Sequence, residues 1–194
     1  MRASREVMAQ RHDEIISQTA KMLRQRGIGG TSLADLMAAA GLTHGGFYKH
    51  FESKDVLVAE ATERIFGEIN SRFEARTHSH GAKAALKAYV ADYLMMSHVR
   101  RPELGCPIPS FGPDVAREHE SIRRTFTDGM KTTLALVSHG LSCPRRERRG
   151  KAIELLSLLT GAVLMARAAA DAKLVAEIIA SAEKRATKLI DERR

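Results

Sequence analysis

Apolar residues recur along this chain at helical spacing, and no stretch alternates apolar and polar positions long enough to predict a strand. Ile16, Ala20 and Leu23 fall at i, i+4 and i+7 with Ile15 and Thr19 beside them, which predicts a first helix stopped by Gly27. Ile28 then follows as the apolar residue that packs back after a glycine C-cap. Ser32 is a good N-cap with Asp35 at the third helical position, so a short second helix starts there, buries Leu33, Leu36 and Met37, and ends at Gly41. Thr43 caps a third, very short helix running to about His50, with Phe47 and Phe51 turned inward; Ser53 caps a fourth from Lys54 to about Arg76.

Downstream, Thr77–Gly81 reads as a polar loop and Ala82 to about Val99 as a helix. Pro102, Pro107, Pro109 and Pro113 then exclude a long regular helix. Helices follow from about Glu118 to Leu141, from Pro144 to near Asp171, and from Ala172 to about Glu192. The expectation is an all-α chain of about nine helices. A three-helix helix-turn-helix domain over residues 1–53 precedes a larger helical domain over 54–194.

Composition agrees with this picture. The chain has 194 residues, 44% hydrophobic and 28% charged, with 5% aromatics and no Trp, which suits a helical globular core. The net charge of +8 favours a polyanionic partner. The charge is not concentrated in the first domain, where residues 1–55 hold eight Lys/Arg against six Asp/Glu, a net +2. A denser basic cluster, Arg145, Arg146, Arg148, Arg149 and Lys151, reads as a solvated helix start. Two cysteines, Cys106 and Cys143, are too few for a disulfide scaffold and lack metal-ligand spacing. Residues 1–20 carry no signal-peptide pattern, and the apolar stretch Leu155–Ala166 is shorter than the roughly 20 residues of a membrane helix. A cytoplasmic location without membrane association, metal or cofactor is expected.

Residues 32–51 have the plan of a helix-turn-helix, whose second helix can enter the major groove while the first braces it across the backbone. Such a reader needs apolar residues locking the helices together and small or polar ones facing DNA. Leu33, Leu36, Met37, Leu42, Phe47 and Phe51 supply the first set, and Thr43, His44, Gly45, Gly46, Tyr48, Lys49 and His50 the second. Gly45 and Gly46 each cost about 0.8–1 kcal/mol against Ala inside a helix. They are read either as permitting close approach of backbone to DNA or as tolerated at an exposed site.

The wider pattern resembles the TetR family reader. It comprises Thr31-Ser32-Leu33, Ala39 to Thr43, Gly45 and, most distinctively, the run Tyr48 to Leu57 with Tyr-x-His-Phe-x-Ser-Lys-Asp-x-Leu. The first helix ending at Arg26-Gly27 fits as well, so the likeness covers about residues 10–60. It implies that Ser32 and Thr43 touch phosphate and that His44 and Lys49 lie where the family reads bases. Tyr48 and His50 would contact the sugar-phosphate backbone or flanking bases, and Lys54 would pair with a phosphate. Gly46 departs from the pattern, where Ser or Thr is common, and removes one base contact.

The resemblance further implies a homodimer on a palindromic double-stranded operator and an unidentified small-molecule effector whose binding releases DNA, repression being the family's prevailing mode. The last two helices are the candidate interface, through Ile153, Leu156, Leu159, Ala162 and Val163 on one and Leu174, Ile178 and Ala182 on the other. The alternative is that these ridges serve only the chain's own core. The effector would lie among Phe66, Phe73, Tyr89, Tyr93 and Met96, Cys106 and Phe111, and Phe126, Met130 and Met165, any of which could instead be ordinary core. Cys106, near Arg100 and Arg101, is open to two readings: a thiol made reactive by positive surroundings, or a small buried hydrophobe.

An enzyme is the rival class. Gly27, Gly29 and Gly30 follow no strand and precede no Gly-Lys-Ser/Thr, and His78 and His80 have no accompanying ligand cluster, so they read as a solvated loop. No nucleophile-elbow motif or paired catalytic carboxylates are evident. A DNA-binding module of another kind, such as an invertase-like reader, would not need the long apolar C-terminal helices.

Overall fold

The computed structural model describes residues 2–192, which form ten α-helices, one 3-10 turn and no strand. The first helix, α1 (Arg2–Arg26), buries Ile15, Ile16, Thr19, Ala20 and Leu23. It stops where Gly27 adopts φ 74°, a left-handed value that glycine reaches without steric cost. Helix α2 (Leu33–Ala39) opens with a complete capping box. Asp35 N–H donates to Ser32 Oγ at 3.1 Å, while the Asp35 carboxylate accepts from Ser32 N–H at 2.9 Å. Gly41, at φ 60°, makes the turn into α3 (His44–Phe47), a single turn capped by Thr43.

Helix α4 (Lys54–His80) is the central member. Its first half buries Leu57, Val58, Ala61, Ile65 and Phe66 against the first three helices, and Phe73 belongs to a second core farther along. The first core does not stop at Ser53, because it also takes in Phe111, Val115, Ile122 and Phe126 from downstream. The expected loop at Thr77–Gly81 is helical as far as His80. Thr77 and Ser79 satisfy their hydroxyls on the carbonyls four residues back, so polarity alone does not end the helix, and Gly81 at φ 82° does.

Helix α5 (Ala82–Leu94) is shorter than expected, because Met95 is extended and the chain restarts as α6 (Met96–Arg100). A 3-10 turn (Pro102–Leu104) leads to α7 (Pro107–Val115). Pro107 and Pro109 fall there in the first turn, where an amide hydrogen has no helical acceptor to lose. Helices α8 (Glu120–Gly140), α9 (Arg145–Ala168) and α10 (Ala172–Asp191) complete the bundle. Helix α8 lies close along α4, since a Cβ on Gly129 would overlap the Phe66 ring. Among the described residues, no helix is long and apolar enough to cross a membrane.

Candidate nucleic-acid interface and effector cavity

The α2–turn–α3 unit divides into a buried and an open side. Phe47 and Phe51 are 1% and 2% exposed and pack on each other with ring centroids 5.7 Å apart, which pins α3 from behind. Thr43, His44, Gly45, Tyr48 and Lys49 are exposed on the other side, while Gly46 and His50 are half-buried. Thr43 Oγ1 accepts from Gly46 N–H at 3.2 Å, so the residue expected at phosphate also starts the helix. Tyr48 lies edge-on to Phe47 at 5.2 Å and leans on His44 at 5.0 Å, which holds its ring outward. A Cβ on Gly45 would meet no protein atom. The chain's own packing therefore does not require glycine at 45.

Side chains from neighbouring helices brace this unit. Arg11 donates to the Ala40 carbonyl and ties α1 to the end of α2. His12 stacks on Phe51 at 4.5 Å and bonds the Glu60 carboxylate at 2.8 Å. His50 is held below the ordinary histidine range, first by burial and then by the charges of His12, Arg11 and Lys49. Ser32 is exposed, but its hydroxyl already donates to Asp35 at 2.5 Å. Lys54 is half-buried with Nζ donating to the Ile28 carbonyl at 3.3 Å, so it also ties α4 to the α1–α2 turn.

A cavity of about 230 Å³ lies under the α5–α6 break. Of the residues expected to line a pocket, Phe73, Tyr89, Tyr93 and Cys106 do so. Phe66, Phe111 and Phe126 instead pack edge-to-face in the first core, with Met130 against it. Phe66 also reaches a separate polar groove between α4 and α8. Met165 is 58% exposed on the outer side of α9, away from the cavity. The helix break at Met95 brings that residue, rather than Met96, to the cavity wall. Sequence reasoning missed Ile69, Arg72, Arg76, Asp92, His98 and Leu104, because only the fold brings α4, α5 and the 3-10 turn together.

One wall of this cavity is tightly tied. His98 Nδ1 donates to the Tyr93 carbonyl at 2.5 Å and Nε2 accepts from Cys106 N–H at 2.9 Å, which fixes a neutral ring. Burial holds its pKa below the usual range. Arg167 donates to the carbonyls of His98 and Val99 and to Ser110 Oγ, joining α9 to α6 and α7. Cys106 is buried, and desolvation pushes its thiol up to about 11 despite Arg167 and Arg24 nearby. Burial thus favours the second reading of Cys106, a small buried hydrophobe, over a thiol activated by cationic surroundings. From the cavity wall α7 runs to Asp114, whose Oδ2 accepts from Ile28 N–H at 2.8 Å.

The expected interface ridges prove divided. Leu156, Leu159, Ala162, Val163 and Ala182 are buried in the protomer's own core, where α9 packs on α5, α8 and α10, so they do not form an outer ridge. Ile153 and Leu174 are 46% and 45% exposed and Ile178 is half-buried. Leu164 and Met165 join them on the open side, and Gly161 there presents free space.

Comparison with known proteins agrees with this geometry. Residues 15–61 match the family model described as bacterial regulatory proteins, tetR family. The HTH-type transcriptional repressor KstR2 of Mycolicibacterium smegmatis is 32% identical over 66 residues, 34% of this chain and 32% of that protein. The HTH-type transcriptional regulator AcrR of Shigella flexneri is 28% identical over 78 residues, 39% of this chain and 36% of that one. The matched stretches thus span about a third of these curated relatives. Solved structures resemble the whole fold. A TetR transcriptional regulator from Chloroflexus aurantiacus has a TM-score of 0.76 at 24% identity, covering 96% of this chain and 98% of that one. Reduced NemR of E. coli has a TM-score of 0.74 at 20% identity, covering 90% and 96%.

Proposed function

We propose that this chain, whose residues 15–61 match the TetR family model, is a dimeric repressor whose paired α3 helices read a palindromic operator and which a small molecule in the cavity between α4, α5 and α6 releases. The observation that carries the reading is the two-sided α3. Thr43, His44, Gly45, Tyr48 and Lys49 are open to solvent in front of a fully packed Phe47–Phe51 brace. Thr43, Tyr48 and Lys54 would position the protein on phosphate, aided at Lys54 by the α4 amino terminus, and His44 and Lys49 would reach base edges. Exposed Ile153, Leu164, Met165 and Leu174 on α9 and α10 suit a helix-on-helix interface with a second copy. Effector binding would then shift the population toward a spacing of the two α3 helices that no longer matches the half-sites, one DNA turn or about 34–36 Å apart.

The test is a gel-shift titration on DNA selected in vitro by the purified protein. Wild type should bind selectively, as a dimer, with strong salt dependence. Tyr48→Ala with Lys54→Ala should retain the fold and dimer and lose at least tenfold in operator affinity; unaltered affinity rejects the site assignment. Leu164→Asp with Leu174→Asp, both exposed in the protomer, should yield folded monomers by light scattering, and persistence of the dimer rejects the proposed face.

A further inference from the structure

The cavity under the α5–α6 break is apolar within and cationic at its rim. Phe73 and Tyr89 stack at 4.9 Å and 20° to make the floor, and buried Tyr93 and Cys106 also line it. Burial raises both phenols and the Cys106 thiol, so the floor opposes negative charge. His98 adds no charge, because one ring nitrogen donates to the Tyr93 carbonyl and the other accepts from the Cys106 amide.

The rim differs. Its exposed lining includes Arg72, Asp92, Met95 and Leu104, with Arg76 half-buried. Asp92 is taken by Arg76, whose Nη1 donates to it at 2.5 Å. Arg72 is the positive charge left over. Its Nε donates to the Glu68 carbonyl at 3.3 Å, and among the described residues no carboxylate forms an ion pair with its guanidinium. A further cation lies close by, outside the lining. Arg24 is 6% exposed, has its Nε on the Ala20 carbonyl at 3.1 Å and likewise forms no ion pair among the described residues. A cationic ligand would therefore meet Arg72 and find Asp92 already engaged. At about 230 Å³ the space lies below the roughly 300–1,000 Å³ of pockets for drug-sized ligands, so the occupant is small.

We propose that this cavity takes a small amphipathic monocarboxylate, with its apolar body beside Phe73 and Ile69 and its carboxylate at the rim on the Arg72 guanidinium. A planar carboxylate matches the guanidinium fork. At the rim it keeps part of its hydration and avoids the cost of burying a charge in the floor. The assignment rests on the effector-site reading for its biological meaning, but the binding itself requires no DNA.

Phenylpropionate, the neutral phenylpropanamide and the cationic phenylpropylamine are the probes, titrated into the full-length protein while the Ile69 and Met95 methyl signals are followed by NMR. Phenylpropionate should bind saturably with a Kd of the order of 1 mM, as suits a ligand of its size. It should bind about fivefold tighter than the amide, the worth of one partly solvated ion pair, and the amine should bind weakest. Arg72→Gln, at an exposed site, should keep the fold and bring acid and amide to equal affinity. Arg72→Lys retains the charge and should keep most of the difference. The proposal is overturned if amide or amine binds as tightly as the acid, if Arg72→Gln leaves the difference intact, or if no saturable shift appears at the cavity methyls. Retention of operator by phenylpropionate-saturated protein would instead reject the release reading and leave the ligand class standing.

Discussion

Replacing Asp114 by Ala isolates the contact between the end of α7 and the turn that precedes α2. The Asp114 carboxylate accepts the Ile28 amide at 2.8 Å, and Ile28 is 2% exposed. A hydrogen bond to a charged acceptor contributes about 1.5–3 kcal/mol, and its loss leaves the amide without a partner. The second oxygen faces Arg117 at 3.2 Å, but that arginine is largely solvated, so this pair adds no more than about 0.5 kcal/mol. Alanine's better helix propensity returns a similar amount, leaving a net loss of about 2 kcal/mol. For a chain of this length that lowers Tm by roughly 4–8 °C. Asp114→Asn keeps an acceptor oxygen and should lose less than about 1 kcal/mol. Circular dichroism melts at one fixed protein concentration provide the measurement, since any self-association would couple Tm to concentration. If both variants melt with wild type, the Asp114–Ile28 contact carries no stability and the reasoning fails.

Two further outcomes follow from the titrating groups. His98 is depressed below its ordinary 6.5 by burial, so the unfolded chain binds its proton more readily than the folded one. Stability from this site is complete above pH 6.5 and is lost as pH falls from there through the folded value; His50 acts in the same direction. Urea midpoints from pH 8 to 5 should therefore fall for wild type and fall less for His98→Asn, and parallel slopes would exclude His98. Cys106, with its thiol pushed up to about 11, should resist iodoacetamide in the native protein at pH 7.5 and react only on unfolding. Rapid native alkylation, located by mass spectrometry, would show that the buried thiol opens to solvent.

The helix-turn-helix was legible in the sequence because its signals are local. Thr43 and Ser32 mark helix starts, Gly27 and Gly41 mark left-handed turns, and Phe47 and Phe51 at i and i+4 mark the inner face. The proposed interface was less legible. An apolar ridge such as Leu156–Leu159–Val163 announces burial but not against what, and here the protomer's own helices consume it. What remains outside is a sparse set, Ile153, Gly161, Leu164 and Leu174, whose meaning depends on the buried ridge being already satisfied. The cavity was only partly legible for a related reason. Its aromatic floor lies on α4 and α5, but the break at Met95 shifts the wall by one residue, and His98 earns its place through contacts with Tyr93 and Cys106 that no periodicity encodes.

The amide of Ile28 has a practical consequence. Its only acceptor among the described contacts belongs to a side chain on the nine-residue α7, which begins at the cavity's Cys106. Exchange of that single hydrogen with deuterated solvent therefore reports whether α7 still abuts the turn preceding α2. One spectroscopic signal, followed with the cavity empty and then filled, would time how a change at the cavity reaches the turn that leads into the helix-turn-helix.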